Sequence, residues 1–86
     1  MSSACEDVDE PIAVEAVFSR GKIHPRRFQW GGRTRDVAKI TYRWMERQGA
    51  ATLHYFALLT ESQLPLEICF NDKTLEWRLV RRWEEG

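Results

Sequence analysis

Residues 33 to 45 read RTRDVAKITYRWM, and whether they form a strand or a helix decides the fold class. As a strand, the segment places Ala38, Ile40, Tyr42 and Trp44 on one face. Arg33, Arg35, Lys39 and Arg43 fall on the other, with Val37 and Thr41, because side chains alternate along a pleated chain. As a helix it would take Asp36 as N-cap and stop before Gly49, with Val37, Ile40 and Trp44 on one stripe. Val, Ile, Thr, Tyr and Trp favour the pleated chain. The preceding Gly31-Gly32 also calls for a partner strand, since two residues tolerant of positive φ between extended runs make a tight hairpin. The strand is therefore preferred to the helix over residues 36 to 48, and an all-β fold follows.

Working outward, Ile12, Val14, Ala16 and Phe18 recur at every second position, the period of a half-buried strand. Ser19-Arg20-Gly21-Lys22 turns the chain into a second run ending at Trp30, where Pro25 lacks a ladder donor and so predicts an edge or a bulge. Downstream, Gln48-Gly49-Ala50 makes a turn. Residues 53 to 59 are then apolar at nearly every position, which suits a central strand covered on both faces or an interface. Glu61-Ser62-Gln63 leads into Leu64, Leu66, Ile68 and Phe70, and Asn71-Asp72-Lys73-Thr74 supplies hairpin chemistry. Leu75, Trp77 and Leu79 line the last run, with Glu76, Arg78 and Val80 opposite. These runs predict a five- to six-stranded antiparallel meander curled into a small β-barrel or a strongly bent sheet, with Trp77 and Leu79 buried beside Leu66, Ile68 and Phe70.

An 86-residue chain makes one small domain, and it buries only about 60% of the surface its unfolded state exposes. Four Trp, four Phe and two Tyr supply large rings for so small a core. The first ten residues, MSSACEDVDE, are small and acidic without periodicity and read as a flexible acidic tail, leaving residues 11 to 86 as the β domain. No apolar run is long enough to cross a bilayer and no cationic start precedes an apolar stretch, so the expected location is cytoplasmic. Cys5 and Cys69 offer no disulfide framework and read as reduced thiols. His24 and His54 share no metal-ligand spacing with them, and no metal or cofactor is expected.

The stretches FQWGGRTRDVAKITYRW, HYF and TLEWRLVRRW resemble a family of uncharacterised small bacterial β domains of unknown function. Their frame is an aromatic, a Trp, a Gly-Arg turn, a Val, a Trp near the next turn and a final Trp-x-Leu strand. Phe28, Trp30, Gly32, Arg33, Val37, Trp44, Trp77 and Leu79 fit that frame across residues 12 to 83. The resemblance implies a β fold and carries no activity or site.

The chain is formally neutral, yet residues 20 to 47 hold nine basic side chains and two acids, a net of +7, whereas the first fifteen residues hold five acids and no base. On a strand, Arg33, Arg35, Lys39 and Arg43 would project from one face at multiples of about 6 to 7 Å, a spacing comparable to that of phosphates along a nucleic-acid strand. The expected site is therefore Arg33, Arg35, Lys39 and Arg43 with Arg27, and Trp30 as a stacking surface for single-stranded nucleic acid. Alternation sends Tyr42 to the apolar face, away from that surface. The plainer reading of these arginines is a solvated face that keeps an edge from pairing. The alternative function is protein interaction or self-association through residues 53 to 59. Catalysis is not expected: there is no nucleophile elbow, phosphate loop or carboxylate pair.

Overall fold

The computed structural model describes residues 3 to 85, and among these there is no helix, hence none long and apolar enough to cross a membrane. Six strands follow in order: β1 (Ser3–Ser19), β2 (Lys22–Trp30), β3 (Arg33–Gln48), β4 (Ala51–Thr60), β5 (Pro65–Asn71) and β6 (Glu76–Glu85). Each is antiparallel to its neighbour, and β1 also pairs with β6, so the meander closes into a ring. The expected all-β meander is thus the observed one, and the helical alternative for residues 36 to 48 is absent.

The hairpins follow from local chemistry. Gly31 and Gly32 both take positive φ, 62° and 74°, and join β2 to β3 by a two-residue turn whose twist matches that of the strands. In the β5–β6 turn, Asn71 Oδ1 accepts from the backbone N–H of Lys73 at 2.9 Å and of Thr74 at 3.1 Å. That turn also absorbs Leu75, expected at the start of the last strand's inner face. Leu75 instead takes φ 64° and is 70% exposed, because its N–H closes back onto the Asn71 carbonyl at 2.8 Å.

Inside the ring Phe28, Phe56, Leu58, Leu66, Ile68, Phe70, Trp77 and Leu79 form the buried cluster. Trp77 faces Phe70 across β5 and β6 with ring centroids 4.8 Å apart, and Leu79 faces Ile68, as the turn chemistry predicted. In β4, Phe56 and Leu58 are buried, whereas Leu53, Tyr55, Ala57 and Leu59 on its outer face are only half-buried.

Two expectations are corrected. Residues 3 to 10 are not a tail: they form the first half of β1, in register with β6 from Ser3 opposite Glu85 to Glu10 opposite Leu79. Three of their four acids are ion-paired to β6, Asp9 to Arg78 at 2.8 Å, Glu6 to Arg82 at 2.9 Å and Asp7 to Arg81 at 3.7 Å. The acidic run lacked periodicity because this half lies against an arginine-rich strand, with a bulge between Asp7 and Glu10. The tail expectation for residues 1 and 2 lies outside the described residues.

The second correction concerns β3. Its ladder with β4 shifts register between Val37 and Lys39 and again between Ile40 and Tyr42, and each bulge moves later side chains to the opposite face. Directly opposed residues share a face, so Arg35, Val37, Ile40 and Arg43 point inward, opposite buried Phe28, Thr60, Leu58 and Phe56. Lys39, Tyr42 and Trp44 point outward. The expected face of Arg33, Arg35, Lys39 and Arg43 is therefore divided, as is the apolar set of Ala38, Ile40, Tyr42 and Trp44.

Candidate binding seam

The ring is not paired along its whole circumference. β2 and β3 are bonded only through residues 27 to 30 against 33 to 36. Beyond that ladder β3 pairs with β4 alone, and residues 22 to 25 of β2 pair with β1 alone. Two local features open the wall there: Pro25 has no N–H to donate, and Arg26 is an extra residue where the β1–β2 register shifts between Glu15 and Ala16. Pro25 thus sits beside a bulge on a free edge, as its chemistry predicted.

A cleft of about 550 Å³ occupies the wide end of this seam, between the β1–β2 turn and the β3–β4 hairpin. Its lining includes Phe18, Ile23, Arg43, Met45, His54 and Phe56. The seam continues past His24, Pro25 and Arg26 on one side and residues 37 to 40 on the other as a narrower space of about 150 Å³. Phe18, 61% exposed, touches Phe70 edge-on at 5.7 Å and forms part of the apolar mouth. The larger cleft has the size of a small-ligand or side-chain pocket.

Arg43 crosses the seam. Its Nη1 donates to the Ile23 carbonyl at 2.6 Å, its Nη2 lies 3.4 Å from His24 Nδ1, and its guanidinium sits 5.5 Å from the Phe56 ring centroid. Opposite the β2 edge, His54 Nε2 lies 3.2 Å from Asp72 Oδ2, and Asp72 Oδ1 accepts the Thr52 N–H at 2.9 Å. The Thr52 bond, then His54, hold the Asp72 carboxyl below the 3.8 usual for aspartate.

The remaining expected site residues lie apart from the cleft. Arg35 stacks over Trp30 with its guanidinium carbon 5.1 Å from the ring centroid, and its enclosed Nε has no hydrogen-bond partner among the described residues. Trp30 Nε1 donates to Glu10 Oε1 at 3.2 Å, and Arg82 approaches the same ring at 5.8 Å. Arg27 pairs with Asp36 at 3.1 Å. Arg33 is exposed at the β2–β3 turn and Lys39 is exposed on the outer wall. The six residues therefore do not form one surface.

Charge is nonetheless segregated. The β6 arginines are matched by β1 carboxylates, whereas Arg20, Lys22, Arg26, Lys39 and Arg47 form no ion pair with a carboxylate among the described residues. Arg20, Lys22, Phe18, Met45 and His54 were not singled out from sequence as a site. Residues 18 to 22 and 43 to 56 become neighbours only when the two hairpins meet. On the outer wall Trp44 stacks on Tyr55 with centroids 5.1 Å apart, and Tyr42 adds a ring that is 66% exposed.

Among the described residues no group of three or more His, Cys, Asp or Glu side chains is placed to hold a metal ion. Burial pushes the Cys69 thiol up to about 11, the wrong direction for a nucleophile. Comparison with protein-family models, with curated proteins and with solved structures finds no match.

Proposed function

We propose that this protein is a non-enzymatic cytoplasmic binding module that receives a segment of a protein partner in the seam between β2 and β3. The observation that carries the reading is a stretch of β3, residues 39 to 48, paired on one side only and lying beside an apolar cleft of about 550 Å³. A free strand edge next to an apolar pocket is the arrangement through which sheets take up extended segments. The cytoplasmic assignment rests on two cysteines that are both unbridged. Selection of a random peptide library against the full chain tests the function: peptides that bind reproducibly are expected, and a library from which none is enriched argues against it. Self-association through the outer face of residues 53 to 59 has less support, because that face is already half-covered by its own neighbours.

One observation favours a second reading, the binding of single-stranded nucleic acid. Arg20, Lys22, Arg26, Lys39 and Arg47, none ion-paired to a carboxylate among the described residues, share the molecule with the exposed ring of Tyr42. About four phosphate contacts would give a slope of roughly −3 in log affinity against log salt. Anisotropy of a labelled oligonucleotide at low salt decides this: no change up to about 100 μM protein, where non-specific complexes ordinarily form, removes the reading.

A further inference from the structure

We infer that the segment received is an extended strand, added to the seam-facing edge of β3, which places one bulky apolar side chain in the cleft between acidic neighbours. This rests on the protein-binding reading above. The main-chain geometry selects a strand. In an antiparallel ladder alternate residues turn their N–H and C=O toward the partner and the residues between them turn away. Gln48 opposite Ala51 closes the two-residue β3–β4 turn, so Gln48, Glu46 and Trp44 bond to β4, while Arg47, Met45 and Arg43 present their main-chain groups to the seam. Thr52, opposite Arg47, obeys the same rule from the other strand: its N–H and C=O face away from β3 and meet Asp72 at 2.9 and 3.2 Å.

Three alternate residues with main-chain groups turned to the seam make a short template for another backbone. The β2 side of the seam does not, because Pro25 lacks a donor and the Ile23 carbonyl is already taken by Arg43. Addition is therefore to β3 alone, and it requires the Arg43 side chain, which spans the seam to the Ile23 carbonyl and His24, to swing aside. A strand laid there sends alternate side chains inward, toward Phe18, Ile23, Met45 and Phe56, in a cleft whose walls are mostly apolar. Its flanking residues lie near Arg20, Lys22 and Arg47, none of which is paired to a carboxylate among the described residues, so acids there are favoured. A nucleic acid would meet the cations but has no alternating amide donors and acceptors to match the edge.

The test uses the full chain and a phage-displayed library of random peptides. Enriched sequences should carry one large apolar residue between acids. On binding, the selected peptide should slow hydrogen exchange at the amides of Arg43, Met45 and Arg47 and leave those of Trp44 and Glu46, already bonded to β4, little changed. Met45→Pro deletes one seam-facing donor without touching the β4 ladder, and should weaken binding about five- to tenfold, the effect of one lost hydrogen bond. Should Met45→Pro not fold, Met45→Lys, which puts a charge into the apolar cleft that receives the bulky side chain, gives the comparison. Reversal of charge in Arg20→Glu with Lys22→Glu should weaken binding by a similar factor at low salt and by less at high salt. Enriched peptides that lack acids, that protect the face of residues 53 to 59 instead, or that bind both Met45 variants as tightly as the parent overturn the strand site while leaving a protein-binding module standing. No enrichment, together with an oligonucleotide that binds, overturns both.

Discussion

Arg43 and Glu67 are both charged residues on half-apolar strands, and the structure gives them opposite environments. Arg43 reaches a carbonyl and an aromatic ring on the inside of the wall. Glu67 is 4% exposed, and burial pushes its carboxyl up despite the opposing pull of Arg81, whose Nη1 is 3.7 Å away. A raised carboxyl favours the protonated form in the fold, so its contribution to stability is lost as pH rises through that raised value. Glu67→Gln should therefore raise the urea midpoint at pH 7 and leave it little changed at pH 4. Asp72 has the opposite sign. Its depressed carboxyl contributes stability above the unfolded value near 3.8 that is lost as pH falls further, and Asp72→Asn should flatten the acid limb of the stability profile below that pH. Trp77, packed against Phe70 and Phe56, was readable as core because its turn and its period agree; Trp77→Ala should cost about 3 to 5 kcal/mol in chemical denaturation. The inward turn of Arg35 was not readable because its pairing with Phe28 on β2 sets it, nor was that of Arg43, which follows two bulges.

At the scale of elements, strand existence and hairpin position were legible and strand facing was not. The Gly31-Gly32 turn announces itself, because few other residues accept two consecutive positive φ values. Gly32→Ala, at φ 74° with open space around a new Cβ, should cost about 1 to 2 kcal/mol through backbone strain alone, read as a lower thermal midpoint without loss of strand content. β3 shows the limit. Its alternation is regular over RTRDVAKITYRWM, and two bulges demanded by the fit to β4 break it twice, scattering the candidate nucleic-acid face between the interior, the seam and the outer wall. The seam itself depends on Pro25, which was visible, and on how far β2 and β3 diverge, which was not.

For the whole molecule, closure rests on β1, whose first half pairs with β6 and whose second half pairs with β2. Deleting residues 1 to 10 should therefore do far more than remove a charged tail. It strips a row of bonds from β6, leaves Arg78, Arg81 and Arg82 without their β1 carboxylates, and uncovers an edge. The expected outcome is loss of a cooperative thermal transition by circular dichroism, with association visible by light scattering; an unchanged melt would show that the ring does not need this strand. The sequence by itself determined the all-β class, a meander of five or six strands, the approximate positions of the turns and the pairing of Trp77 and Leu79 with β5. Each of these follows from interactions between residues close in the chain, where period and turn chemistry act directly. Only the tertiary structure decided that the acidic start is a strand, which way the β3 cations point, and that the wall is open between β2 and β3. Those outcomes depend on register between distant strands, and register is set by the closure of the ring around a shared core, a condition that no local stretch of residues contains.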